Sequence, residues 1–325
     1  MKARQSLAFA AIASMALLAG HGSALAQAYP NKTIKLQVPF APGGTTDIVA
    51  RVISEPLGKA LGQSVIVENK AGANGAIASE FVARATPDGH TLMLGYIATH
   101  AMNPALQKLR YDPVTDFEPV AMVGYSGTLM VANAAVGVKD VKDLVAQLKA
   151  KPERYVYATA GNGTAPHFAG ELFKLNAGVE MIGVPYKGSS PAINDTLGGQ
   201  TQFMFPSLFS ALPHVKGGKL KALAIAGPKR SPLLPDVPTM KEAGVDGVEV
   251  QQWYAIFAPA KTPKDVVAKL NKSINDVLAD KDVIKRMEDH GADVETSTPE
   301  QLGSLVKTEL AKWKNVVVKA KITMD

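Results

Sequence analysis

Two periods of apolar spacing take turns along this chain. At 34–40 every second residue is apolar (Ile34, Leu36, Val38, Phe40), the pattern of a strand with one buried face. Short apolar runs of similar length recur at 65–68, 91–97, 119–124, 128–132, 155–159, 181–186, 201–205, 220–226 and 250–258. Between them, apolar residues at helical spacing predict helices over 46–61, 75–85, 139–150, 165–176, 190–198 and 207–215. Strand and helix in alternation predict an α/β fold whose parallel-rich sheets carry helices on both faces. After Pro259 the alternation stops. Residues 263–279, 281–290 and 298–320 read as consecutive helices, with Thr262-Pro263 and Thr298-Pro299-Glu300-Gln301 as start signals.

The same pattern divides the chain. Two apolar runs within 118–132 are separated only by Tyr125-Ser126-Gly127, so the chain is expected to cross from one α/β unit to another there. The return falls at 249–258, after the proline-rich stretch 228–238. A first lobe is therefore expected from 27–127 plus 250–325, and a second from 128–249. Two crossovers make a hinge, with a ligand cleft between the lobes.

Residues 1–26 change the picture of where the protein works. Lys2 and Arg4 precede an apolar run from Leu7 to Gly20, and Ser23-Ala24-Leu25-Ala26 gives a small-x-small cleavage site. That is the layout of a removable export signal, too short in its apolar part to span a bilayer. The expected mature chain begins at Gln27 and works in the periplasm. With no cysteine anywhere there is no disulfide scaffold, thiolate metal site or lipid-bearing cysteine. The formal charge is +6, and removing Lys2 and Arg4 leaves +4, dispersed rather than clustered. A nucleic-acid partner is not expected from such a surface.

Candidate chemistry sits in loops at predicted strand ends. Pro39, Pro42, Gly43 and Gly44 break the first strand, and Thr45, Thr46 and Asp47 open a helix, an arrangement that offers free backbone N–H groups to a carboxylate or phosphate. No Lys-Ser/Thr follows the glycines, so this is not a P-loop, and the spacing is not GxGxxG. A tight capped turn explains any one such loop. The set, however, includes Gly72-Ala73-Asn74-Gly75, Tyr96-Ile97-Ala98-Thr99-His100, Thr159-Ala160-Gly161-Asn162-Gly163-Thr164 and Tyr186-Lys187-Gly188-Ser189-Ser190. Ligands of open α/β sheets bind at the carboxyl ends of strands, where these loops would converge.

Catalytic parts are missing. There is no GxSxG elbow, and Ser189 and Ser190, followed by Pro191, read as helix-capping residues. His90, His100, His167, His214 and His290 show no paired ligand spacing, so neither a metal nor another cofactor is expected. His167 reads as packed against its own loop, and Trp253 and Tyr254 as core or hinge residues.

Six segments together resemble the extracytoplasmic solute receptors of tripartite tricarboxylate transporters, the Bug receptor family. They are YPNKTIKLQVPFAPGGTTDIVAR (29–51), VIVENKAGANGAIASEFVARATPDGHTLML (65–94), NPALQKLRYDPVTDFEPVAMVG (103–124), YATAGNGTAPHFAGELFK (157–174), VPYKGSSPAINDTLGGQ (184–200) and LPDVPTMKEAGV (234–245). The resemblance implies a two-lobed, type II-like periplasmic binding fold that closes on a small carboxylate, with no catalysis. It implies a first-lobe cradle of Phe40, Gly43, Gly44 and Thr45, lined by Asn74 and Thr99, with Thr159, Gly163 and Thr164 closing from the second lobe. Asp47 would cap its helix. The family often has an acid after the 201–205 strand where this chain has Phe205-Pro206, and Asn74 replaces a usual glycine. Those departures imply a ligand with an apolar or aromatic distal part near Phe205, such as a non-amino dicarboxylate, within the range of di- and tricarboxylates and aromatic carboxylates expected for the cleft. The partners implied are membrane transporter subunits serving a monomeric receptor, with a sensor-kinase ectodomain as the alternative. Neighbouring permease genes would separate the two.

Overall fold

The computed structural model describes residues 29–152 and 154–323, so the expected export signal lies outside the described residues. The first strand, β1 (Ile34–Val38), ends at the Pro39–Gly44 turn, and α1 (Thr45–Leu61) runs from there to Gly62, a left-handed residue that closes the helix on the Gly58 and Lys59 carbonyls. β2 (Val65–Asn69), α2 (Ala76–Ala83) and β3 (Thr91–Tyr96) follow. A wide helical turn at Ala98–Met102 and α3 (Asn103–Leu106) then lead to β4 (Phe117–Asn133).

β4 is one uninterrupted strand where the apolar pattern suggested two. Tyr125-Ser126-Gly127 stays extended because it is paired on both sides: Tyr125 and Ser126 face Trp253 and Gln252 on one edge and Asp293 and Ala292 on the other. Next come α4 (Val141–Ala150), β5 (Val156–Thr159), α5 (Ala165–Ala177), β6 (Ile182–Pro185), α6 (Ser189–Leu197), β7 (Phe203–Met204), α7 (Leu208–Lys216) and β8 (Leu220–Ala226). The chain returns in β9 (Gln251–Pro259) and finishes with α8 (Lys264–Leu278), α9 (Lys281–Asp289), β10 (Ala292–Val294) and α10 (Pro299–Ala320).

The strands lie in the order β2-β1-β3-β9-β4-β7-β5-β6, with β8 and β10 also on β4. Parallel pairing, as expected, joins β1 to β2 and β3, and β5 to β6 and β7. The crossover strands β4 and β9 run antiparallel to their neighbours, so the sheets are mixed. β4 changes partner within one step: Gly127 pairs with Gln251 of β9, and Thr128 with Ala226 of β8. Val250 N–H donates to the Ala226 carbonyl at 3.0 Å, tying the return segment to the same point.

The helices after β9 cover the first sheet. Thr298 and Gln301 form a reciprocal capping box at the start of α10, and Leu302, Val306 and Trp313 make its buried stripe. Trp313 reaches past that sheet to pack edge-on against Phe168 of α5, with ring centroids 5.2 Å apart.

Candidate ligand-binding site

The β1–α1 turn owes its shape to Gly43, at φ +77°, and to Asp47. One Asp47 oxygen accepts both the Gly43 N–H and Arg51 Nε at 2.9 Å. Burial pushes this carboxyl's pKa up, but the Arg51 and Gly43 hydrogen bonds outweigh it and hold the group below its ordinary value. Asp47 therefore does not cap α1 as expected: Gly44 holds the N-cap position and no side chain caps the helix, while Asp47 secures the preceding loop through the Gly43 N–H, which it takes out of the cleft. Helix geometry leaves the next amides, at Thr45 and Thr46, without intrahelical acceptors. Gly44 precedes them as an extended N-cap residue and supplies no side chain to them.

α6 starts the same way. Its N-cap is Gly188, at φ +130°, and no side chain caps the turn that begins at Ser189. The two starts face each other across the boundary between the sheets. A Cβ built on Gly44 would lie 3.7 Å from the Ser190 nitrogen and 3.8 Å from that of Ser189. The Thr45 and Ser207 hydroxyls hydrogen-bond across the boundary at 2.7 Å, and Ala41 N–H donates to the Lys187 carbonyl at 3.4 Å.

These loops enclose a cavity of about 10 Å³ lined by Phe40, Gly44, Thr45, Thr46, Tyr96, Ala160, Ser189, Gln252 and Tyr254. Its size suits about one water. No lining side chain is charged. Tyr96 and Tyr254 stack at 5.4 Å, and burial raises the pKa of both phenols, so they remain neutral donors. The buried Gln252 amide fixes one wall, accepting from Tyr96 Oη at 2.7 Å and donating to Thr128 Oγ1 at 2.8 Å. The arrangement is a neutral, hydrogen-bonding enclosure at the positive ends of two helix dipoles, chemistry that compensates a desolvated anion without a cation.

Of the residues singled out from sequence, Phe40, Gly44 and Thr45 line this cavity. Gly43 lies on the far side of the same turn, against Ser190. The Thr159 hydroxyl accepts the Gly161 N–H and that of Thr164 donates to the Gly161 carbonyl, so both brace the turn whose Ala160 faces the cavity. Gly163 donates its N–H to His167 Nδ1 at 3.2 Å and packs against Asn103, which places His167 against its own loop. Asn74 packs on Gly161, a contact only a glycine at φ +119° admits.

Two candidates sit away from the cavity. The Thr99 hydroxyl is fully buried and spent on the Tyr96 backbone and on His100 Nδ1 at 2.9 Å; burial pulls the His100 pKa down to about 3 and keeps that ring neutral. Phe205 is a core residue, 5.9 Å from the Tyr157 and Phe173 rings. Thr46, Tyr96, Ala160 and Ser189 belong to loops that the sequence places at the cleft without marking them as contacts, Tyr254 reads there as a core or hinge residue, and Gln252 is not singled out at all. A glutamine inside the apolar 250–258 run was the available signal.

The family profile described as "Tripartite tricarboxylate transporter family receptor" matches residues 49–322. The chain belongs to this family. Among solved structures it is similar to the periplasmic binding protein BugD, with 39% identity and a TM-score of 0.88 over 91% of this chain and 99% of that one. An R. palustris protein solved with adipate gives 34% identity and 0.88 over 91% and 99%. MatC from Rhodopseudomonas palustris, solved with bound malate, gives 38% and 0.86 over 89% and 100%. The receptor has the two-lobed fold of these binding proteins and is not an enzyme. Among the described residues no helix is long and apolar enough to cross a membrane.

Proposed function

We propose that this receptor works in the periplasm, where it captures a small carboxylate between its lobes and delivers it to a membrane transporter of the tripartite tricarboxylate type. The observation that carries the reading is the meeting of two helix starts, α1 and α6, without side-chain caps, at one neutral interlobe cavity. A carboxylate there would accept the Thr45, Thr46 and Ser189 amides, with the Thr45 hydroxyl as a further donor. The adipate and malate bound by its relatives agree with a carboxylate ligand. Phe40, Gly44 and Thr45 supply one side of the site, on a turn that Gly43 shapes; Thr159, Gly163 and Thr164 hold Ala160 and the α5 start on the other.

The lobes divide where β4 changes partner. Residues 27–127 and 250–325 form one, 128–249 the other, and the hinge runs through Gly127/Thr128 and Ala226/Val250. Opening breaks the Thr45–Ser207 and Ala41–Lys187 bonds and leaves the hinge pairing intact.

A thermal-shift screen of residues 27–325 against mono-, di- and tricarboxylates, with amino acids as controls, tests the reading. A ligand at a hundred times its dissociation constant adds about 2.7 kcal/mol of stability. A rise confined to carboxylates is expected. A rise with amino acids or neutral solutes alone would overturn it.

A further inference from the structure

An open groove of about 510 Å³ runs between the 104–116 segment and α10 and shares no lining residue with the interlobe cavity. We propose that this groove docks an acidic segment of the membrane transporter, and that it does so best when the lobes are closed. The inference rests on the delivery role given above and names the surface that serves it and the chemistry of the partner.

The first support is charge. Lys108, Arg110 and Lys314 stand exposed around the groove, and among the described residues none of their side chains forms an ion pair or hydrogen bond. Lys307, also exposed, lies two turns before Lys314 on the same face of α10. Other surface lysines are matched, as Lys59 is by Glu55, Lys272 by Asp276 and Lys285 by Asp289. Two acids line the groove, and both are spent on its shape. Asp112 Oδ1 accepts the Val114 and Thr115 N–H groups at 2.8 and 2.9 Å, and Asp116 Oδ2 accepts the Asp112 N–H at 2.8 Å. The floor is apolar, with Tyr111 and Pro113 buried and Leu109 and Leu310 half-buried. Unpaired cations around an apolar floor fit a peptide that carries carboxylates on either side of an apolar anchor. A flat bilayer surface would meet the rim and miss the floor.

The second support is what lies behind the groove, because both walls lean on the second lobe. Trp313, next to Lys314 on α10, packs against Phe168 of α5. On the other wall, Gln107 donates from Nε2 to Asn103 Oδ1 at 2.7 Å, and a Cβ built on Gly163 would lie 3.0 Å from that same oxygen. Gly163 and Phe168 flank the start of α5, so opening the cleft withdraws both supports together. The groove keeps this shape only while the lobes meet, and a partner fitted to it binds the closed receptor more tightly.

Fluorescence anisotropy with a short labelled peptide, glutamates around one leucine, tests the groove on the mature chain and two triple variants. One carries Lys108→Glu, Arg110→Glu and Lys314→Glu. The other, of equal net charge, carries Lys142→Glu, Lys149→Glu and Lys151→Glu on exposed positions of the second lobe. The groove variant is expected to lose about tenfold or more in peptide affinity, and the other to stay within about twofold of wild type. A saturating carboxylate, chosen by the thermal screen, should raise wild-type peptide affinity about fivefold or more, and the peptide should raise carboxylate affinity by the same factor. Equal losses in the two variants, or no peptide binding at all, would overturn the docking site. Peptide affinity unchanged or lowered by the carboxylate would overturn its dependence on closure. Groove-dependent binding to phosphatidylglycerol vesicles without peptide binding would overturn the proposal in favour of a membrane surface. Carboxylate affinity without peptide should be the same in all three proteins, which shows that each is folded. A wild type that binds no carboxylate would overturn the receptor reading itself, whereas failure of the peptide alone leaves that reading standing.

Discussion

α1 and α6 begin on glycine with no side chain closing the first turn, whereas α9 and α10 begin on Asp280 and Thr298, whose side chains accept first-turn amides. The outer helices satisfy their free donors locally, and Thr298 with Gln301 does so reciprocally. At the cleft those donors stay open, and the one carboxylate at hand, Asp47, is turned back onto Gly43 and Arg51. The difference separates two uses of one physical property. The positive end of a helix either stabilises the fold through a cap or waits for an anion from solution.

Converting one kind of start into the other gives the largest expected effect. Gly44 has φ −83° and room for a Cβ, so Gly44→Asp can cap α1 as Asp280 caps α9. The variant should gain a few tenths of a kcal/mol in stability. It should lose about a hundredfold or more in carboxylate affinity, because its own charge occupies the cradle. Melting and calorimetry read the two effects separately, and a variant that still binds carboxylates normally would erase the distinction drawn here.

Thr45→Val comes next. It removes the hydroxyl that meets Ser207 across the boundary, and affinity should fall by about tenfold, the worth of one hydrogen bond to a charged ligand together with the closure contact. Thr298→Ala makes the converse point: stability should drop by about 1 kcal/mol in a denaturant titration, with affinity unchanged. The smallest effect is the pH response of Asp47. Its carboxyl sits below the ordinary 3.8 in the folded protein, so its contribution is complete above that pH and is lost as pH falls through the folded value. Asp47→Asn should flatten the acid side of the stability profile without moving the neutral side.

Most of the fold was legible because each local signal is reinforced by its neighbours. The run 220–226 and the helices after Pro259 lie where the apolar spacing puts them, within a residue or two at each end. β10 was missed because a three-residue strand carries no period, and it exists only by pairing with Gly124–Ser126. The division of β4 failed for a related reason: Gly127 looks like a break until β9 supplies its partner.

The site was half legible. Glycine-rich turns announce helix starts, which is how Gly44, Thr45 and the 159–164 turn were found. Tyr96, Gln252 and Tyr254 come from strands buried on both faces, where alternation disappears and nothing local tells a cleft residue from a core residue. Phe205 is the mirror case, an aromatic at a strand end whose ring turns into the core between Tyr157 and Phe173.

Backbone amide shifts during a carboxylate titration test the central claim most directly, using a ligand that the thermal screen selects. Carboxylate capture by the open helix starts predicts the largest shifts at Thr45, Thr46 and Ser189, with Asp282 and Gln301 of the capped helices unmoved. Saturable binding that leaves the Thr45, Thr46 and Ser189 amides in place would contradict it.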